Sequence, residues 1–308
     1  MKKEEIIAEI ARLKKEKNVL ILAHYYARPE VQDIADFIGD SLQLSRQAAE
    51  TQADIILFCG VHFMAETAAV LSPYKKVLAP TKYAGCSLAE GADAEGLRRW
   101  HEKNPTGLVV SYVNTTAAVK AETDYCVTSS NALEIVKSLP AGVPVLFGPD
   151  RNLGAYIAKE TGREMELWDA CCFVHERIDT ESIEAALYAY PEADVLIHPE
   201  SKGANDVSVM NHPRCFMYST AGILAHASRS SKQQFVIATE PETLHLLKKQ
   251  NPGKEFIAIQ LENRCHYMKQ AGLWEVLEAL REEKYRVTVP DEIRERALIS
   301  LERMLRFG

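Results

Sequence analysis

The 308-residue chain contains no apolar run near the 18 or so residues that a membrane-spanning helix needs. It has no C-x-x-C pair, which removes zinc ribbons and knuckles. It also lacks G-x-G-x-x-G and Walker sequences, so no motif supports a nucleotide cofactor. Basic charge is not in excess: 36 Lys and Arg against 43 Asp and Glu leave a formal charge of −7, which argues against a nucleic-acid partner. No low-complexity stretch marks a linker. The opening MKKEEIIAEIARLKKEK has no apolar h-region and is not read as a secretory signal. Seven cysteines, an odd number in a long acidic chain, fit a reducing compartment, so the expected location is cytoplasmic, without a membrane partner.

What is present is the composition of an ordinary globular protein, 47% apolar and 26% charged. Ile6, Ile7, Ile10 and Leu13 fall at helical spacing within residues 4–17. Short runs apolar on both faces follow at 19–23, 55–58, 76–79, 108–110, 143–147, 194–197, 235–238 and 256–259, the pattern of buried parallel strands. Helical stretches are expected at 41–50, 63–71, 130–138, 181–189, 241–250, 273–284 and 291–306. Strand and helix alternate, so the fold class is α/β with parallel sheets.

The strand ends repeat one another. His24-Tyr25-Tyr26, Tyr112-Val113-Asn114 and His198-Pro199-Glu200 each close a strand, roughly 88 residues apart. Thr128-Ser129-Ser130 and Tyr218-Ser219-Thr220 each open a helix. Three similar small αβα units follow from this, placed about a pseudo-threefold axis: 1–104, 105–190 and 191–285, with 286–308 packing back on the first. Ligands of open parallel sheets lie at the carboxyl ends of strands, so the polar strand ends would face one shared crevice.

Cys86, Cys172 and Cys265 recur at about the same interval, one per unit. Buried thiols acting as small hydrophobes account for such residues. Three thiolates from three units also suit an iron–sulfur cubane, which normally takes four cysteines; with three, one iron stays open as a Lewis acid.

Several long segments, in order, resemble the quinolinate synthase family: LAHYYARPEVQDIADFIGDSLQLSRQA, FCGVHFMAETAAVLSP, APTKYAGCSLAE, SYVNTTAAVKAETDYCVTSSNA, FGPDRNLGAYIAKETG, LIHPES and YSTAG. The resemblance spans about residues 18 to 285. It implies a transferase of NAD biosynthesis that condenses iminoaspartate with dihydroxyacetone phosphate, giving quinolinate, phosphate and two waters. It implies one [4Fe-4S] cluster on Cys86, Cys172 and Cys265, with Cys172 preferred to Cys171 because His175 follows it in C-x-x-H spacing. It implies substrate contacts from His24, Ser41, Tyr112, Val113, Asn114, Ser129, His198, Pro199, Glu200, Ser219 and Thr220. Tyr26, Tyr112, His175, His198 and Glu200 are the implied catalytic residues. An aspartate oxidase or dehydrogenase would supply iminoaspartate.

The residue types suit the chemistry. Both substrates are anions, and Ser or Thr at helix N-termini offers N–H donors and local positive potential, although simple capping asks for the same residues. Carbon–carbon bond formation and ring closure move protons, so Glu200 is expected as a general base with a raised pKa. An exposed iron would make the enzyme oxygen-sensitive. Two other readings share these residues: a hydro-lyase using the same cluster, and a metal-free module binding dicarboxylic or phosphorylated metabolites. His101, His212, His226 and His245 are read as structural.

Overall fold

The computed structural model describes residues 1–307. It contains three four-stranded sheets, in which every pairing between named strands is parallel. The first sheet is β1 (Val19–His24), β2 (Phe37–Gly39), β3 (Ile55–Cys59) and β4 (Lys76–Leu78). The second is β5 (Leu108–Tyr112), β6 (Tyr125–Val127), β7 (Val145–Gly148) and β8 (Glu166–Leu167). The third is β9 (Asp194–Ile197), β10 (Cys215–Met217), β11 (Gln234–Ala238) and β12 (Glu255–Ala258). Their spatial orders are β2-β1-β3-β4, β6-β5-β7-β8 and β10-β9-β11-β12, one pattern used three times.

In each sheet the chain winds to one side of the first strand and then crosses to the other. That reversal opens a crevice past the carboxyl ends of β1 and β3, β5 and β7, and β9 and β11. The inner strands are mostly apolar because both faces are covered: all five residues of β3 and all four of β9, Asp194 among them, are buried. Ile10 and Leu13 of helix Lys3–Glu16 join Val276, Leu277 and Leu280 of helix Leu273–Glu282 over one face of the first sheet. Tyr285 and Val287 then bond to the main chain of Ala79 and Val77, beside β4. Helix Asp291–Leu305 lies against Ala117–Lys120, β6 and helix His62–Leu71, so it touches both the first and the second unit. No helix among the described residues is long and apolar enough to cross a membrane.

Candidate active site

The repeated topology sends equivalent strand ends to one place. After β1, β5 and β9 come His24 and Tyr26, Tyr112 and Asn114, and His198 and Glu200. After β2, β6 and β10 come Asp40 and Ser41, Thr128 and Ser129, and Thr220. The loops after β4, β8 and β12 bring Cys86, Cys172 and Cys265. All these side chains line a single cavity. Val61, Phe63 and Met64 supply part of its apolar wall.

A hydrogen-bond chain crosses all three units. The Tyr26 hydroxyl lies 2.8 Å from Thr220 Oγ1 and 2.7 Å from Thr239 Oγ1. Thr239 Oγ1 is 2.8 Å from His175 Nε2, and His175 Nδ1 is 2.9 Å from Glu200 Oε2. The Tyr112 hydroxyl donates to Glu200 Oε1. The chain therefore runs from the third unit to the first, back to the third, to the second, and ends on a buried carboxylate. His175 and His198 stack with ring centroids 4.7 Å apart.

Backbone contacts set the tautomers. His24 Nδ1 accepts the Tyr26 N–H at 3.2 Å, so the neutral ring carries its proton on Nε2. His198 Nδ1 accepts the Glu200 N–H at 3.4 Å, and Nε2 lies 3.2 Å from Ser129 Oγ. Both rings are almost fully buried, and burial is the main force driving each down to about 3, so they stay neutral near pH 7. Burial likewise pushes the Tyr26 and Tyr112 hydroxyls well above their ordinary value, with Glu200 adding to the effect.

Glu200 departs from expectation. Burial alone would raise its pKa, as the sequence suggests. His175 and His198 beside it and hydrogen bonds from His175 and Tyr112 outweigh burial and hold it down to about 2. A carboxylate so stabilised is a weak base. It is a resting place for charge that fixes His175 and Tyr112.

Other expected contacts sort by position. Ser219 caps helix Thr220–Arg229 through the Gly222 N–H at 3.2 Å, and its Oγ lies 2.8 Å from Ser130 Oγ; it does not line the cavity. Val113 and Pro199 are buried in the turns after β5 and β9 and do not line the cavity. Asn114 does line it, and its Oδ1 is buried without a hydrogen-bond partner. Ser130 also donates to Asp40 at 2.9 Å, so polar groups at the second-strand ends of all three sheets are joined. His226 and His245 pair with Asp194 and Asp33 at 3.4 and 3.0 Å, outside the cavity.

Sequence reasoning assigned no role to Thr239, Glu240 or Lys269. Glu240 lines the cavity, and Lys269 Nζ is 2.6 Å from its Oε1. The signal was present in Ala238-Thr239-Glu240-Pro241, a strand end of the same kind as those that supply the other residues.

The three cavity cysteines are distinct in environment. Cys59, Cys126 and Cys215 sit buried in strands β3, β6 and β10. Each cavity thiol receives main-chain N–H groups: Cys86 from Leu88 and Ala89, Cys172 from His175, and Cys265 from Tyr267 and Met268. Burial still pushes Cys86 up to about 12 and Cys265 up to about 11, with Cys172 well above the usual thiol range. Cys172 Sγ, one ring nitrogen of His175 and one carboxylate oxygen of Glu200 lie within 4.8 Å of one another, close enough to share a metal ion. Cys171 does not line the cavity.

A family model described as Quinolinate synthetase A protein matches residues 8–306. A quinolinate synthase of Pyrobaculum aerophilum is 47% identical over 304 residues, covering 97% of this chain and 99% of that one. A Thermus thermophilus quinolinate synthase is 47% identical over 308 residues, covering 100% and 99%. One from Desulforudis audaxviator is 49% identical over 302 residues, covering 98% of each. The matched residues span all three sheets, and by these matches the chain belongs to the quinolinate synthase family.

Proposed function

We propose that the chain is a quinolinate synthase of NAD biosynthesis, a transferase that joins iminoaspartate to dihydroxyacetone phosphate and releases quinolinate, phosphate and two waters. The observation that carries this reading is the single cavity into which three cysteines and the polar strand ends of three sheets converge. Family membership supports it. The setting is cytoplasmic, and an aspartate oxidase or dehydrogenase supplies the imine. The three sheets correspond to domains 1–104, 105–190 and 191–285 about a pseudo-threefold axis.

Cys86, Cys172 and Cys265 would hold one [4Fe-4S] cluster. Their chemistry fits: three sulfurs line one cavity, and each receives main-chain N–H groups that favour the thiolate. Because burial keeps these thiols protonated, loading would release protons. When bound, such a cluster supplies Lewis acidity through an iron that lacks a protein ligand.

The chain's own residues bind and move protons. Helices Ser41–Glu50 and Thr220–Arg229 point their N-termini at the cavity through Ser41 and Thr220, which suits anionic groups. His24 offers Nε2–H to a substrate oxygen, and Asn114 offers its unpartnered Oδ1 to a donor. His198 holds Ser129 toward the ligand. Tyr26 exchanges a proton with the substrate, and Thr239 and His175 carry it onward, while Glu200 stays ionised, bonded to His175 and Tyr112, and steadies the charge that passes through His175.

Mixing both substrates anaerobically with the enzyme and measuring quinolinate tests the reaction. A dehydration product without condensation would favour a hydro-lyase. Assay for iron and acid-labile sulfide should find about four of each per chain. A lone metal ion at Cys172, His175 and Glu200 would instead give metal without sulfide. Cys86→Ser, Cys172→Ser or Cys265→Ser should abolish the brown chromophore, while Cys59→Ser, Cys126→Ser and Cys215→Ser should leave it.

A further inference from the structure

Two buried carboxylates occupy the same relative position in different sheets. Asp150 follows β7, and Glu240 follows β11; each is 0% exposed. Each spends one oxygen on its own turn. Asp150 Oδ1 accepts the Leu153 N–H at 2.7 Å, and Glu240 Oε2 accepts the Glu242 N–H at 2.8 Å. Each turns the other oxygen onto the main chain of a cavity cysteine. Asp150 Oδ2 accepts the Cys172 N–H at 3.1 Å, and Glu240 Oε1 accepts the Cys265 N–H at 3.3 Å.

An N-cap or a turn alone does not require this. Asp179 caps helix Thr180–Ala189 through the Ser182 N–H at 2.9 Å from a partly exposed position. Ser219 caps its helix with a single oxygen. Burying a carboxylate is costly unless its lone pairs are used, and here both oxygens are used, in both sheets. An amide of the same shape has one acceptor only; its NH₂ would face an N–H. The first sheet reaches the same end by another route. Gly60 and Val61 follow β3, and the His62 N–H bonds to Ala84 O at 2.7 Å, tying the Cys86 loop through main chain alone.

We propose that Asp150 and Glu240 are positioning residues for the cluster, each clamping the backbone of a ligand cysteine, Cys172 and Cys265 respectively, to the end of the preceding strand. The inference rests on the cysteine-ligated cluster proposed above. Groups that orient metal ligands typically matter 10- to 100-fold for metal retention. Lys269 Nζ lies 2.6 Å from the same Oε1 that accepts the Cys265 N–H.

The test uses the anaerobically prepared holoenzyme with Asp150→Asn, Glu240→Gln and Asp179→Asn. The readouts are iron and sulfide content, the rate of iron loss to a chelator, and the melting temperature of each metal-free chain. The expected result is iron loss about 10- to 100-fold faster in Asp150→Asn and Glu240→Gln, well beyond what the lowered melting temperature of each metal-free chain accounts for. Asp179→Asn, which alters a cap of the same kind away from the cysteines, should lose iron at the wild-type rate. The clamps are overturned if both variants release iron at the wild-type rate. They are equally overturned if faster loss appears only in proportion to a lowered melting temperature, or if Asp179→Asn behaves alike. Wild-type protein without iron and sulfide would defeat the cluster reading itself, a result distinct from either.

Discussion

Thr239 holds the hydroxyl on which two separate units depend. It is 2% exposed, makes one bond to Tyr26 and one to His175, and has a single proton to give. Thr239→Val keeps the shape and removes both bonds. If the chain carries protons, kcat should fall about 100-fold with little change in KM, within the span of a general acid–base contribution. Thr239→Ser should restore most of the rate; wild-type kcat in the valine variant would rule the relay out. The buried histidines give a second expectation, for stability. His24 and His198 are held down to about 3 in the fold, against about 6.5 in an unfolded chain. The unfolded state therefore binds more protons as pH falls, and stability is lost between about 6.5 and about 3. Glu200, held down to about 2, acts in the same direction below about 4.3. Urea midpoints should drop steadily from pH 7 to pH 5, and a flat profile would contradict the buried neutral imidazoles.

The inner strands could be read from sequence and the outermost often could not. Runs such as Ile55–Cys59 and the three residues from Val195 to Ile197 are apolar without interruption because both of their faces are covered. The strands with no apolar run in the sequence reading are β2, β6, β8 and β10, of which only the ends of β6 and β10 were read, at Thr128 and Tyr218; each has two or three residues and lies at the edge of its sheet. A segment that short, paired on one side, carries no period to detect. Helix starts were read at Asp40 and Ser219, where a side-chain cap marks them, but not at Asp93 or Asp150, which cap helices Ala94–Lys103 and Arg151–Thr161 in the same way. The cavity residues were legible because strand-end polarity repeats. Thr239 and Glu240 share that pattern and were passed over because their roles lie in contacts to Tyr26, His175 and Cys265, distant in sequence. Close packing between elements was invisible as well. A Cβ on Gly203 would lie 2.7 Å from the main-chain carbon of Asp179, where nothing can yield. Gly203→Ala should cost about 1–3 kcal/mol, read as a lowered melting temperature with cofactor content unchanged.

At the scale of the molecule, the cavity is a property of three sheets together, and no one of them holds it. The proposed cluster would be the most vulnerable part of such an assembly, since its sulfurs arrive from all three. On that reading, brief exposure of the holoenzyme to air should destroy quinolinate formation before circular dichroism changes. Full turnover after aeration, with iron and sulfide intact, would argue against an accessible iron. Contacts between units do the remaining work: Tyr26 with Thr220, Tyr112 with Glu200, and Ser130 with Asp40 and Ser219.

Helix Asp291–Leu305 has a consequence for how the protein comes into being. It seats Ser300 on the Lys120 carbonyl at 2.9 Å and offers the Met304 carbonyl to Asn131 at 3.1 Å, while also lying on His62–Leu71. These residues leave the ribosome after both of the units they fasten. The seam between the first two thirds of the chain therefore lacks this fastening during translation, and a ribosome-stalled fragment ending near residue 285 should show looser protection of 62–71 and 117–131 against proteases than the released protein.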